Sequence, residues 1–399
     1  MKLRFSVVTF VCVLLALVCA APAFGATVAV GTCLPNKVSF DSLTDAIQGV
    51  PPGSTILVCP GIYQEQLVIS KSLTLKGQTS GNAAFAAIMP PPGGLLTNAA
   101  GLSAGVSFYG FGQPLAAQLV INSGAAVTIT DITVDATGYN IPTCNPAVVG
   151  ILVQDASLTL NHVSIKNQLE TGPLCSPGGN GAGLLAQNDS VNPTTVKVQN
   201  SNFLNAGQSY ESDGASNTSI LTNNTLVGNP ASVWNAISII TGNSTIQGNS
   251  LSDFNYPPAD VGGNINGSSF AVLMECVSGG TVANNVIGSS QVGIFLQNVN
   301  CPPLNSNVSI TGNTVYNAFY IGIDVGQTNG LVQGNDIRNT QTAIRLPGSA
   351  AGNTIQNNTI NDSCAAFGSN PAAGVNTILN NNISNTSNLA IVNTTALCP

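Results

Sequence analysis

The chain holds one histidine, His162, and few other groups suited to acid–base work. Asp131 lies thirty-one residues before it, and the same interval separates Asp135 from Lys166. A carboxylate beside an imidazole can orient it as a general base. A lysine beside an aspartate can stabilise a developing negative charge. Asp131, His162, Asp135 and Lys166 are therefore the candidate catalytic set, with Glu170 just beyond. The plainer reading is two opposite-charge pairs between neighbouring repeats, worth about 0–1 kcal/mol each if exposed. Glu211 and Asp213, in the segment Tyr210 to Gly214, could lend oxygens to calcium, but two acids are a thin ligand set and a solvated loop is the plainer reading. Phe108, Tyr109 and Phe111 could stack on sugar rings or anchor a long Gly-rich loop. Asp324 and Arg345 align in register as a further ion pair.

A repeat brings these residues together. Its window has apolar ends and often Asn in the middle: LTNNTL from Leu221, IQGNSL from Ile246, VANNVI from Val282, ITGNTV from Ile310, VQGNDI from Val332, IQNNTI from Ile355 and ILNNNI from Ile378. Looser copies start at Ile129, Leu160 and Val198, and the base spacing is about 22–23 residues with insertions. Gly or Asn at the third and fourth positions tolerates left-handed backbone angles, so the window reads as strand, tight turn, strand. A second apolar run follows, as in Gly293 to Leu296 and Gly322 to Val325. Stacked coils would align the Asn side chains in hydrogen-bonded ladders. Val, Ile and Thr dominate rather than Leu, which argues against a leucine-rich horseshoe. The insertions after residues 77, 136, 170 and 251 are where function-specific loops belong.

The register also orders the cysteines. Cys144 and Cys175 lie at equal offsets from the windows at Ile129 and Leu160, one above the other in adjacent coils. Cys276 and Cys301 bracket one coil, Cys33 and Cys59 bracket the N-terminal end, and Cys364 and Cys398 would staple the other end. Sequential pairing is expected, in keeping with export to an oxidising compartment. No CxxC or Cys/His spacing suggests zinc. No cofactor is expected, calcium being the one possible ion.

Residues 1–25 read as a signal peptide: Lys2 and Arg4, an apolar run from Phe5 to Ala21, then small residues around Ala23 to Ala26. No later stretch is long and apolar enough to span a bilayer. The formal net charge of −7 becomes more negative once Lys2 and Arg4 are removed, which argues against a nucleic-acid partner. Charged residues are 6% of the chain against roughly 25% in ordinary domains, yet the apolar share is 44%, enough for a core.

The windows resemble parallel β-helix repeats of the pectate-lyase-like superfamily. The segments Phe40 to Ile47, Val50 to Val58, Pro60 to Tyr63, Glu65 and Lys71 to Gly77 are similar to the N-terminal region of pectinesterase-like and periplasmic β-helix proteins. The resemblance implies an all-β fold, a single-stranded right-handed parallel β-helix whose open end is plugged by a short amphipathic helix. Leu43, Ala46, Ile47 and Val50 supply the apolar face for such a cap. Residues 26–77 then form the cap and first coil, and 78–399 the solenoid.

Enzymes of this fold act on acidic polysaccharides through carboxylates and Arg or Lys, sometimes with calcium. Their signatures are missing here. The polygalacturonase-like Gly-His-Gly and Arg-Ile-Lys, the pectinesterase-like Arg-Pro-Trp and a lyase-like Arg-x-Pro-x-x-Arg do not occur. Gln154-Asp155 matches only a fragment of the pectinesterase set. The scarcity of Arg, Lys and His favours a non-catalytic glycan-binding, surface or structural module over a polysaccharide lyase or glycoside hydrolase. Its partner would be an extracellular polysaccharide or cell-surface glycan.

Overall fold

The computed structural model describes residues 25–79, 85–102, 111–141, 143, 145–170, 181–189, 192–229, 234–255, 269–298 and 305–392. It is a right-handed parallel β-helix. Each coil contributes one strand to a 14-stranded sheet and two further segments to a 23-stranded sheet. In the coil from Leu221, for example, Thr218–Thr222 lies in the first sheet, while Thr225–Val227 and Asn235–Ile240 lie in the second. Among the described residues the pairing is parallel except where Ala99–Ala100 meets Pro114 and Leu115.

The windows form the corner between the sheets, and the backbone corrects one detail of the expected turn. Only the third position is left-handed: Asn223, Gly248, Asn284, Gly312, Gly334, Asn357 and Asn380 have φ between 51° and 67°. The fourth position instead points into the core. From Asn249 through Asn285, Asn313, Asn335 and Asn358 to Asn381, each Oδ1 accepts the backbone N–H and the Nδ2–H of the Asn one coil earlier, the first donor being Asn224, at 2.9–3.0 Å. Each Nδ2 also donates to a backbone carbonyl of the preceding coil, at 2.9–3.1 Å. A buried amide is tolerated because every member of the column finds partners.

The ladder fades toward the N-terminus. Asn224 still accepts from the Ser201 N–H, and Ser201 Oγ from the Val163 N–H at 3.1 Å. Beyond that the position holds Val163 and Ile132, buried hydrocarbon.

The cap is helix Leu43–Gly49, with Leu43, Ala46, Ile47 and the C-cap Val50 buried. Ser42 accepts from the Asp45 N–H. The Glu65 carboxylate accepts the Leu43 and Thr44 N–H groups at 2.8 Å and the Thr44 hydroxyl at 2.5 Å, placing negative charge at the helix N-terminus. Cys33 and Cys59 are disulfide-bonded beside it, as the spacing suggests. Cys276 and Cys364 are each in a disulfide as well. Cys144, Cys175, Cys301 and Cys398 lie outside the described residues, as does the 1–24 segment.

Candidate functional site

The N-terminal charged set assembles in register but not as a catalytic unit. Asp131 and His162 both occupy the left-handed corner position, with φ of 57° and 53°, where other coils carry Asn or Gly. That geometry turns their side chains outward, and the His162 side chain is 61% exposed. Nδ1 of His162 stands 3.8 Å from Oδ1 of Asp131, too far for a hydrogen bond to orient the ring.

Asp135 pairs in register with Lys166, Oδ2 to Nζ 3.2 Å. Its Oδ1 also accepts from the Thr137 N–H and hydroxyl and from Asn167 Nδ2. Burial alone would push this carboxyl up, but the bonds from Asn167, Thr137 and Lys166 outweigh it and hold the group below its ordinary value. Asn167 in turn accepts from Asn205, and Asn205 from Asn229. Asp135 thus begins a polar column along the surface. Glu170, next to this patch, is buried, and burial pushes its carboxyl up to about 7 despite the Val148 backbone.

A second set of acids lies on the face formed by the longer strands. Glu211 and Asp213 sit in strand Gln208–Asp213 and are 1% and 4% exposed, so the reading of Tyr210 to Gly214 as a solvated loop is overturned. Strand alternation turns both away from the solenoid core, and their burial is decided outside the sheet. Glu211 accepts from Gln208 Nε2 at 2.5 Å. Asp213 aligns with Ile240, and Ile240 with Glu275, so the two acids share one outward row two coils apart. Glu275 is 4% exposed, and burial together with the Asp213 charge pushes it up to about 7. Sequence reasoning missed Glu275, although carrying the strand register from Ala236 to Ile239 one coil further would have reached it.

Farther along the same face Asp324 pairs with Arg345. Asp324 is fully buried, and burial pushes it up to about 6 despite the neighbouring guanidinium and the Gly326 backbone. Arg345 lies over the Phe295 ring at 5.7 Å, and Phe295 stacks on Phe270 at 4.6 Å. These contacts build a packed structural cluster. Among the described residues no group of three or more His, Cys, Asp or Glu is arranged to hold a metal ion. Phe108 and Tyr109 fall outside the described residues, and Phe111 is 80% exposed, so it does not anchor a loop to the core.

One groove on the solenoid surface was not foreseen. It has a volume of about 910 Å³ and follows the corner after the short strands of the second sheet. Ser289, Asn317, Asn339, Asp362 and Asn385 occupy that corner in successive coils, all left-handed with φ of 50–55°. Asn339 Nδ2 donates to Asn317 Oδ1 at 2.7 Å. Gln291, Thr340 and Ser363 line the groove with further amides and hydroxyls, and Asp362 is the only acid among the described residues of its lining. Phe319 stands in it 45% exposed, edge-on to Tyr320. The signal lay in the residues after each window, at a spacing of about one coil, but those Asn were indistinguishable from ladder Asn.

The sequence profile of a family described as periplasmic copper-binding protein (NosD) matches residues 258–397. No curated protein matches in sequence. Among solved structures the chain is similar to a GH136 lacto-N-biosidase from Eubacterium ramulus, at 11% identity and a TM-score of 0.55 over 90% of this chain and 68% of that one. It is also similar to the Dettilon tailspike protein, at 14% identity and a TM-score of 0.52 over 90% and 68% of the two chains. The periplasmic alginate epimerase AlgG matches at 11% identity and a TM-score of 0.51 over 85% and 75%. The chain therefore has a parallel β-helix fold. Among the described residues no helix is long and apolar enough to cross a membrane.

Copper does not fit the described donors of the matched segment; its remaining sulfur donor, Cys301, lies outside the described residues. Residues 258–397 contain no histidine; Met274 is wholly buried in the core, and Cys276 and Cys364 are committed to disulfides. Copper sites draw on imidazole, thiolate or thioether groups that converge, and these do not.

Proposed function

We propose that the chain is an exported, non-catalytic glycan-binding β-helix whose binding surface is the groove of Ser289, Asn317, Asn339 and Asn385. One observation carries this reading: a long groove of amides and hydroxyls whose described lining has a single exposed aromatic ring, Phe319, and no basic residue. Amides and hydroxyls match sugar hydroxyls, and a ring face packs on the apolar side of a pyranose. A uronate polymer would want cations there, so the ligand is a neutral glycan rather than pectin or alginate. The signal-peptide pattern and the disulfides support export. The lacto-N-biosidase fold relative lends support only at the level of the carbohydrate class.

The test is a glycan array followed by calorimetry with the neutral hits. Phe319→Ala is expected to weaken binding by about 1 kcal/mol or more. Silence across the array would sink the proposal, and so would reproducible release of reducing ends or unsaturated products.

One observation favours a glycoside-hydrolase reading. Glu275, pushed up to about 7 by burial and by the Asp213 charge, holds a proton near neutral pH as a general acid must. If turnover is found, Glu275→Gln should abolish it while His162→Ala leaves it unchanged; the reverse outcome would return the chemistry to the N-terminal set.

A further inference from the structure

Each coil builds the same piece of the groove. Its left-handed corner residue supplies one wall: Ser289, Asn317, Asn339, Asp362 and Asn385, with φ of 50–55°. The next residue turns inward and makes the floor, where Ala318, Thr340 and Ser363 are 1%, 6% and 3% exposed. The residue after that lines the opposite wall, as Phe319, Gln341 and Cys364 do. The strands before the corner keep their register from coil to coil, Gly288 on Tyr316, Tyr316 on Arg338, Arg338 on Asn361 and Asn361 on Ser384. The walls therefore run parallel to the solenoid axis and repeat at the strand spacing, about 4.8 Å. From Ser289 to Asn385 the row spans four such steps, about 19 Å.

The wall is open to a ligand. Asn317, Asn339, Asp362 and Asn385 are all exposed. On the other side Gln341 Oε1 is buried without a hydrogen-bond partner among the described residues, an acceptor that a ligand hydroxyl can satisfy once the amide turns.

We propose that the groove holds one linear, uncharged glycan lying along the solenoid axis, one pyranose to each coil, joined through equatorial bonds as in a β-1,4-linked chain. This rests on the reading of the groove as a glycan-binding surface and adds the shape of the ligand. Polar groups at equal steps suit a ligand that repeats with the same step. A pyranose chain linked through equatorial bonds is extended and advances by one ring length per residue, so each sugar meets the same piece of wall. A chain with axial linkages coils and leaves the row after a residue or two. An extended peptide repeats its side-chain direction every second residue, at about 6.7 Å, and falls out of step within two coils. Phe319 offers its ring at one coil only, so one sugar stacks there and its neighbours bind through their hydroxyls.

The test is calorimetry of the signal-free chain with β-1,4-linked oligomers of glucose, mannose and N-acetylglucosamine, two to six units long. In at least one series the affinity should rise about tenfold or more from dimer to pentamer and level off at the hexamer. Malto-oligosaccharides, whose linkage is axial at one end, should gain nothing with length. Asn385→Gly removes the last amide of the row but keeps the left-handed turn. It should weaken the pentamer about threefold or more and leave the dimer unchanged, whereas Phe319→Ala weakens every length. Affinity that is flat from the dimer onward, an equal gain among malto-oligosaccharides, or an Asn385→Gly effect equal on dimer and pentamer would overturn this inference and leave glycan binding by the groove standing. Absence of binding by every neutral glycan would remove that reading, and this inference with it.

Discussion

The coils before residue 204 and those after it share one backbone path but fill the same corner with opposite chemistry. In the earlier coils the inward corner residue is Ile132, then Val163, then Ser201, and the left-handed residue before it is charged or polar: Asp131, His162, Asn200. In the later coils the inward residue is Asn without a break from Asn224 to Asn381. The backbone turn is therefore not what demands the amide. A hydrocarbon satisfies it when the neighbour below is hydrocarbon, and an amide satisfies it when the neighbour is an amide. The requirement belongs to the column, and it is all or none because a lone buried amide loses its partners. It also separates the two polar surfaces: the charged patch sits on the hydrocarbon column, and the amide-rich groove on coils of the amide column.

The largest effect expected from breaking this contrast is at Leu160, a buried member of the early coils. Leu160→Asn has no column to join and should cost more than about 3 kcal/mol in chemical denaturation, from lost burial and stranded amide groups. Asn313→Ala interrupts the ladder at its centre and strands the Asn285 N–H and side-chain amide; a loss of about 2–3 kcal/mol is expected by the same measurement.

Glu170 tests the early coils by pH. Its folded value of about 7 lies above the ordinary 4.5, so the native state holds a proton that the unfolded chain has released. Stability should fall as pH rises from about 4.5 to about 7 and stay low above that, by an amount on the order of 3 kcal/mol at most. Glu170→Gln should flatten this part of the pH–stability curve and stabilise the protein at pH 8; an unchanged slope would place the slope elsewhere. Val163→Asn extends the ladder by one coil, toward Ser201, and should cost no more than about 1 kcal/mol, far less than Leu160→Asn. Smallest of all, His162→Ala and Lys166→Ala should each change the unfolding free energy by less than about 1 kcal/mol, since His162 is exposed and Asp135 keeps its bonds from Thr137 and Asn167 when Lys166 is removed.

Much was legible in one dimension. The repeat spacing brought Asp131 to His162, Asp135 to Lys166 and Asp324 to Arg345, and it anticipated the Asn column; the capping helix followed from the resemblance of the N-terminal segments to β-helix proteins, and the Cys33–Cys59 bridge from the way the two cysteines bracket it. These follow from local rules: alternation decides which side chains face inward, left-handed turns need Gly, Asn or a tolerant substitute, and an open end needs an apolar plug. The sequence could not distinguish a ladder Asn from a groove Asn, because both follow turns at the same spacing and differ only in the direction of the side chain. Nor could it foretell that Glu211, Asp213 and Glu275 would be buried while pointing away from the core, or that His162 and Asp131 would miss each other by an ångström. Inward or outward is a property of the strand and can be read along the chain. Whether an outward side chain meets water, and how far a corner residue reaches, depends on segments distant in sequence, and only the folded coil stack decides it.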